Sequence, residues 1–130
     1  MVLANMMHTV DPAQEILEKV GDLSKLNIFG RNVLVGVYVR PEKTKGGLFL
    51  TDNARQEDRY QGKVGLVLKT GPFAFSQADN DWFAGSTISK GDWVFLRPSD
   101  GWSVTVNGVL CRMLNDDQIR GQIPHPDYVY

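Results

Sequence analysis

The sequence predicts a mainly β fold: a small antiparallel barrel or sandwich with one short helix near the N-terminus. Three observations predict it. Apolar residues recur with a period of two in several short segments, the pattern of strands with one buried face. Glycine, proline and aspartate turns separate these segments, with none of the strand–helix alternation of a parallel sheet. Finally, Asn107-Gly108 stands between two alternating segments and is the strongest short hairpin signal in the chain.

The helix comes first. Asp11 is suited to accept from the orphan amides of a first turn, and Pro12 suits the first helical position. Gln14 completes a spacing like that of a capping box. Ala13, Ile16, Leu17 and Val20 fall on one face, and Gly21 is the expected stop. A helix of roughly ten residues is marginal alone, so it needs a surface to dock on, either its own barrel or a neighbour.

The strands follow. In residues 32–39, Val33, Val35, Val37 and Val39 alternate with Leu34, Gly36 and Tyr38, and Pro41 ends the run. This reads as a strand buried strongly on one face. Residues 63–68 repeat the pattern through Val64, Leu66 and Leu68, closed by Gly71-Pro72. Residues 93–96 form a short apolar run between Lys90-Gly91-Asp92 and Pro98. Residues 102–106 alternate into the Asn107-Gly108 turn, and residues 109–114 are the return strand. Cys111 lies inside that strand, as a buried small hydrophobe rather than a reactive thiol.

Composition bounds the function. A length of 130 residues implies one domain, and 42% of them are hydrophobic, enough for a core. Fourteen basic against fifteen acidic residues leave a net charge of −1, which supplies no electrostatic footprint for nucleic acid or an anionic membrane. The single cysteine, Cys111, rules out an intrachain disulfide and suits a reducing compartment. No apolar run approaches the ~20 residues of a membrane span. The Met-rich start lacks the basic and apolar regions of a signal peptide.

A search for chemistry returns little. His8 and His125 have no partner at metal-ligand spacing, and Cys111 stands alone. There is no nucleophile elbow, phosphate-binding loop or dinucleotide fingerprint. Asp116 and Asp117 are adjacent, so on a strand they face opposite sides and in a turn they are solvated, not a catalytic pair. Glu57-Asp58-Arg59 reads as a solvated loop face. The expectation is a protein without catalytic residues, metal or cofactor.

The most informative segment is residues 43–51, Lys-Thr-Lys-Gly-Gly-Leu-Phe-Leu-Thr. Gly46 and Gly47 resist incorporation into a regular strand. Leu48, Phe49 and Leu50 are then either a short buried strand or an exposed apolar tongue, and exposed apolar patches mark interaction sites.

Five blocks, in order, carry a family resemblance. Asn32-Val33-Leu34-Val35-Gly36-Val37, the 43–51 segment, Gln61-Gly62-Lys63-Val64, Lys90-Gly91-Asp92-Trp93-Val94 and Leu114-Asn115-Asp116-Asp117-Gln118-Ile119 resemble, over residues 27–123, the GroES-like co-chaperonins. The resemblance implies a small, partly open GroES-like β-barrel that assembles into rings. It also implies that 43–51 is the mobile loop, whose apolar tripeptide, here Leu48, Phe49 and Leu50, binds an apolar groove on a GroEL-type chaperonin.

Three departures stand beside the match. Residues 1–26, with the short helix, and residues 124–130 are additional, giving an N-terminal extension, a barrel over 27–123 and a C-terminal tail. The segment replacing the family's small polar roof hairpin, residues 71–89, carries Phe73, Phe75, Trp82 and Phe83. Four aromatics there form either a partner-facing knob or a satellite core beneath a long loop. These additions resemble bacteriophage-encoded members of the family. The expectation is therefore a homo-oligomeric virion component: a head decoration or cement protein bound to the major capsid protein through the loop and both terminal arms. The alternative is a ring-forming co-chaperonin in the cytoplasm of the infected bacterium, capping a GroEL-type chaperonin so that capsid protein folds inside. Neither involves nucleic acid or a membrane.

Overall fold

The computed structural model describes residues 10–40, 51–53, 55, 63–75 and 88–128. Their elements include a helix, α1 (Pro12–Val20), and six strands: β1 (Asn32–Val37), β2 (Val64–Thr70), β3 (Trp93–Phe95), β4 (Trp102–Val106), β5 (Val109–Asn115) and β6 (Gly121–Ile123). Single 3-10 turns at Asp116–Gln118 and Pro126–Tyr128 follow β5 and β6. All strands join one antiparallel sheet in the order β4-β5-β1-β2-β3-β6. The sheet is not closed: β4 and β6 are its edges. It curls enough that Asp100, just before β4, meets Arg120, just before β6, at 3.5 Å. This is the mainly β, partly open architecture expected of a GroES-like barrel.

α1 begins and ends as its local signals dictate. The Asp11 carboxylate accepts the Gln14 N–H at 3.2 Å, with Pro12 in the first turn. The Gln14 amide, however, turns to Glu18 at 3.0 Å instead of back to the cap. Gly21 stops the helix at φ 69°, a left-handed conformation that costs glycine little. The helix docks on its own sheet. Val20, Leu23 and Ile28 join Leu34, Tyr38, Val64, Leu66, Leu68, Trp93 and Cys111 in one apolar cluster, with Ala13, Ile16 and Leu17 packed against it. Gly36 makes room for this contact, since a Cβ there would lie 2.8 Å from Ile16 Cγ2.

The opposite face carries a second cluster of Val33, Val35, Val67, Val94, Leu96, Leu114 and Ile119. β1 is thus buried on both faces, not on one as its alternation suggested. The reason is that α1 covers the face that an open sheet would present to water. A register shift between Leu34 and Val35 leaves Leu68 as the extra residue of β2, a bulge that sharpens local twist. Asn107 and Gly108 both have positive φ, 50° and 80°, as a two-residue hairpin turn requires.

Both terminal extensions, where described, therefore lie on the chain's own sheet. α1 packs as above, and the carboxylate of Asp127 in the C-terminal tail is buried against the Tyr38 hydroxyl.

Candidate partner-binding surface

The insertion carrying the 43–51 segment leaves from the middle of the sheet. It departs after β1 and returns at β2, the two central strands, and Tyr38 N–H donates to Val64 C=O at 3.2 Å across its base. Further out, Arg55 Nε donates to Arg40 C=O at 3.1 Å, and Arg55 N–H donates to Thr51 C=O at 3.2 Å. The chain just before residue 41 and just after residue 50 is thereby held together. Tyr38, at the root, is 2% exposed and packs edge-on against Trp93, with centroids 5.6 Å apart and planes at 78°. Gly46, Gly47, Leu48, Phe49 and Leu50 themselves lie outside the described residues.

Of the four aromatics of the 71–89 segment, Phe73 and Phe75 are described, and they differ in burial. Phe73 is 64% exposed, whereas Phe75 is half-buried and packs against the second core cluster. Phe75 takes φ 63°, a strained conformation for a bulky residue, and its N–H is held by the Asp116 carboxylate at 2.9 Å. Phe75 is thus a satellite of the core. Trp82 and Phe83 lie outside the described residues. Phe73 has a companion that the sequence did not single out: Phe29, 75% exposed. The two turns interlock, because Phe73 N–H donates to Gly30 C=O at 3.0 Å and a Cβ on Gly71 would collide with the Phe29 and Gly30 carbonyls. No local signal in the sequence marks Phe29 as exposed.

Among the described residues, the buried polar groups are paired. Asp116 is not solvated, as its place after a strand suggested, but 1% exposed. Arg31 reaches it with two nitrogens, at 2.9 and 3.2 Å, while Asp117 points to solvent. Asp100 is also buried, with Arg97 at 3.4 Å and Arg120 at 3.5 Å. Arg112, buried beside it, donates to the carbonyls of Arg97 and Pro98, and desolvation lowers its pKa. Burial pushes the Cys111 thiol up to about 11, which makes it inert as a nucleophile.

A shallow open groove of about 320 Å³ runs beside β6, lined by Gly91, Asp92, Trp93, Gln122, Ile123 and Pro124. Its one carboxylate, Asp92, accepts from Ser89 N–H and from Gln122, at 2.9 and 3.4 Å. That leaves no acid–base or nucleophile–base pair in it. Among the described residues no group of three His, Cys, Asp or Glu side chains is placed to hold a metal, and no helix is long and apolar enough to cross a membrane.

Comparison with known families gives a match. The family described as Chaperonin 10 Kd subunit matches residues 25–123, a span that contains all six strands and excludes α1 and the C-terminal tail. No curated protein matches the chain.

Proposed function

This chain belongs to the chaperonin 10 kd subunit family, and from that premise we propose that it is a non-enzymatic co-chaperonin subunit that caps a GroEL-type chaperonin as an oligomer. The observation that carries the reading is the family match across the whole sheet, with the glycine-hinged Leu48-Phe49-Leu50 segment inserted between the two central strands. In this reading Leu48, Phe49 and Leu50 enter an apolar groove on the partner ring. Ordering such a segment offsets part of its contact energy, so each subunit binds modestly. An oligomer multiplies the effect through effective concentration. The terminal additions and the aromatic-rich 71–89 segment are what support placing the chain with the bacteriophage-encoded branch of the family.

Binding to a GroEL-type chaperonin tests the proposal. Leu48→Ser or Phe49→Ser removes a large apolar anchor, at roughly 1–3 kcal/mol per subunit, and is expected to abolish capture of the ring while the thermal transition stays unchanged. Retained binding by both variants would sink the proposal. A capsid-decoration role would need the two extensions as anchors. No observation on the described residues favours it: α1 and Asp127, the described parts of the extensions, pack on their own sheet. Stoichiometric presence in purified virus particles, read by mass spectrometry, is the result that would restore it.

A further inference from the structure

We propose that residues 125–127 of the C-terminal tail clamp the root of the partner-binding insertion, with Asp127 and Tyr38 as positioning residues; this rests on the co-chaperonin reading above. Tyr38 is the first residue beyond β1, where the chain leaves the sheet for the insertion. Its hydroxyl donates to Asp127 Oδ1 at 2.5 Å, and the two side chains are buried, at 2% and 4% exposed. A carboxylate withdrawn from water needs strong donors, and a short O–H···O⁻ bond is among the strongest neutral-donor contacts available. The tail is shaped to deliver it. Asp127 N–H donates to His125 Nδ1 at 3.2 Å, which fixes the turn, and His125 Nδ1 also lies 3.9 Å from Asp127 Oδ2.

A second route closes the circuit. The tail leaves from β6, whose Ile123 is paired with Trp93 of β3. Trp93 in turn holds the Tyr38 ring edge-on. The exit of the chain at Tyr38 is therefore gripped at its ring by β3 and at its hydroxyl by the tail. The family match ends at residue 123, so the hydroxyl grip comes from residues outside the part of this chain shared with the family. Fixing the direction in which the insertion leaves the sheet reduces the freedom lost when it binds, which raises affinity without a new contact to the partner.

The experiment uses the full chain and the variants Tyr38→Phe, Asp127→Ala, their double mutant, Asp127→Asn and a truncation after Ile123. Two quantities are read: affinity for a GroEL-type chaperonin, and native-state hydrogen exchange at residues 38–40 and 55 against β1, β2 and β3. Each of the first two variants is expected to weaken binding about three- to tenfold, the scale of one ordinary hydrogen bond. Their double mutant should be no worse than the poorer single one, as for groups acting as a unit. Asp127→Asn keeps an acceptor oxygen and should restore most of the affinity, while truncation should match Tyr38→Phe. Exchange should quicken at the insertion root and not in the strands. Additive losses, exchange that rises evenly over the sheet, or exchange unchanged at the root would overturn the clamp. Exchange needs no chaperonin, so it decides the clamp even where the wild-type chain fails to bind one.

Discussion

A thiol shut away from water ionises only at high pH, and Cys111 on β5 is such a thiol. It is fully buried, and its pKa rises from the ordinary 9.0 to about 11, chiefly by desolvation, with a backbone hydrogen bond opposing. The sign of the consequence is fixed. Between pH 9 and 11 the unfolded chain has released a proton that the folded chain still holds. The unfolded state therefore binds fewer protons, and stability falls as pH rises through that window. The loss is on the order of 3 kcal/mol once both values are passed. Urea unfolding from pH 8 to 11 should show it, and Cys111→Ala should remove that part of the alkaline decline. An identical alkaline limb in the two proteins would contradict the assignment. Asp116 makes the complementary point about charge. The neighbouring acids Asp116 and Asp117 divide, one buried with Arg31 and one in solvent, because a partner 85 positions earlier in the chain is brought to the end of β5.

At the scale of elements, the contact between α1 and the β4–β5 hairpin is made by a turn residue with two tasks. Asn107 takes the left-handed conformation that the tight turn needs, and its Nδ2 donates to Val20 C=O at 2.6 Å. Lys69 Nζ likewise reaches Leu23 C=O at 2.6 Å. The Asn107 amide satisfies a carbonyl that the helix end leaves without an internal partner, while Lys69 adds a second bond to the Leu23 carbonyl, which also accepts the Leu26 N–H at 3.0 Å. Asn107→Gly keeps the turn conformation and deletes only the amide. It should cost roughly 0.5–1.5 kcal/mol, read as a lower urea midpoint with an unchanged slope, and a neutral result would mean that water replaces the bond. The seam also marks where sequence reading stops. The ends of α1, the hairpin turn and the strand segments along the chain were legible, because each depends on residues a few positions apart. What α1 docks against was not, because it depends on Gly36 leaving a socket for Ile16. The burial of β1 on both faces follows from that docking and was missed with it. Of the candidate site, the 43–51 segment was legible as a motif. The interlock of the Phe29-Gly30 turn with the turn at residues 71–73, and Asp127 on Tyr38, were not, since both form only once distant turns meet.

For the molecule as a whole, the decisive question is whether the N-terminal extension belongs to the fold or reaches beyond it. The family match begins at residue 25, so the shared portion of the chain lacks α1. In this chain, however, Val20 is almost wholly buried, and Ala13, Ile16 and Leu17 pack over the sheet face that carries Leu34, Leu66, Leu68 and Cys111. Burying one Val, Leu or Ile side chain is worth about 1.5–3 kcal/mol. Removing the helix should therefore cost several kcal/mol, set against the 5–15 kcal/mol typical of a whole domain. For a chain of this size that corresponds to a fall in melting temperature of about 10 °C or more. Deleting residues 1–21 should also uncover the apolar face, which a hydrophobic dye would report as new binding in the folded state. An extension that served only to anchor the protein to a neighbouring surface would give the opposite result: an unchanged melting temperature, no dye binding and loss of attachment alone. Thermal unfolding of the truncated chain thus separates the two roles without needing the partner, and the packing of Ile16 into the space beside Gly36 places the expected outcome on the side of the fold.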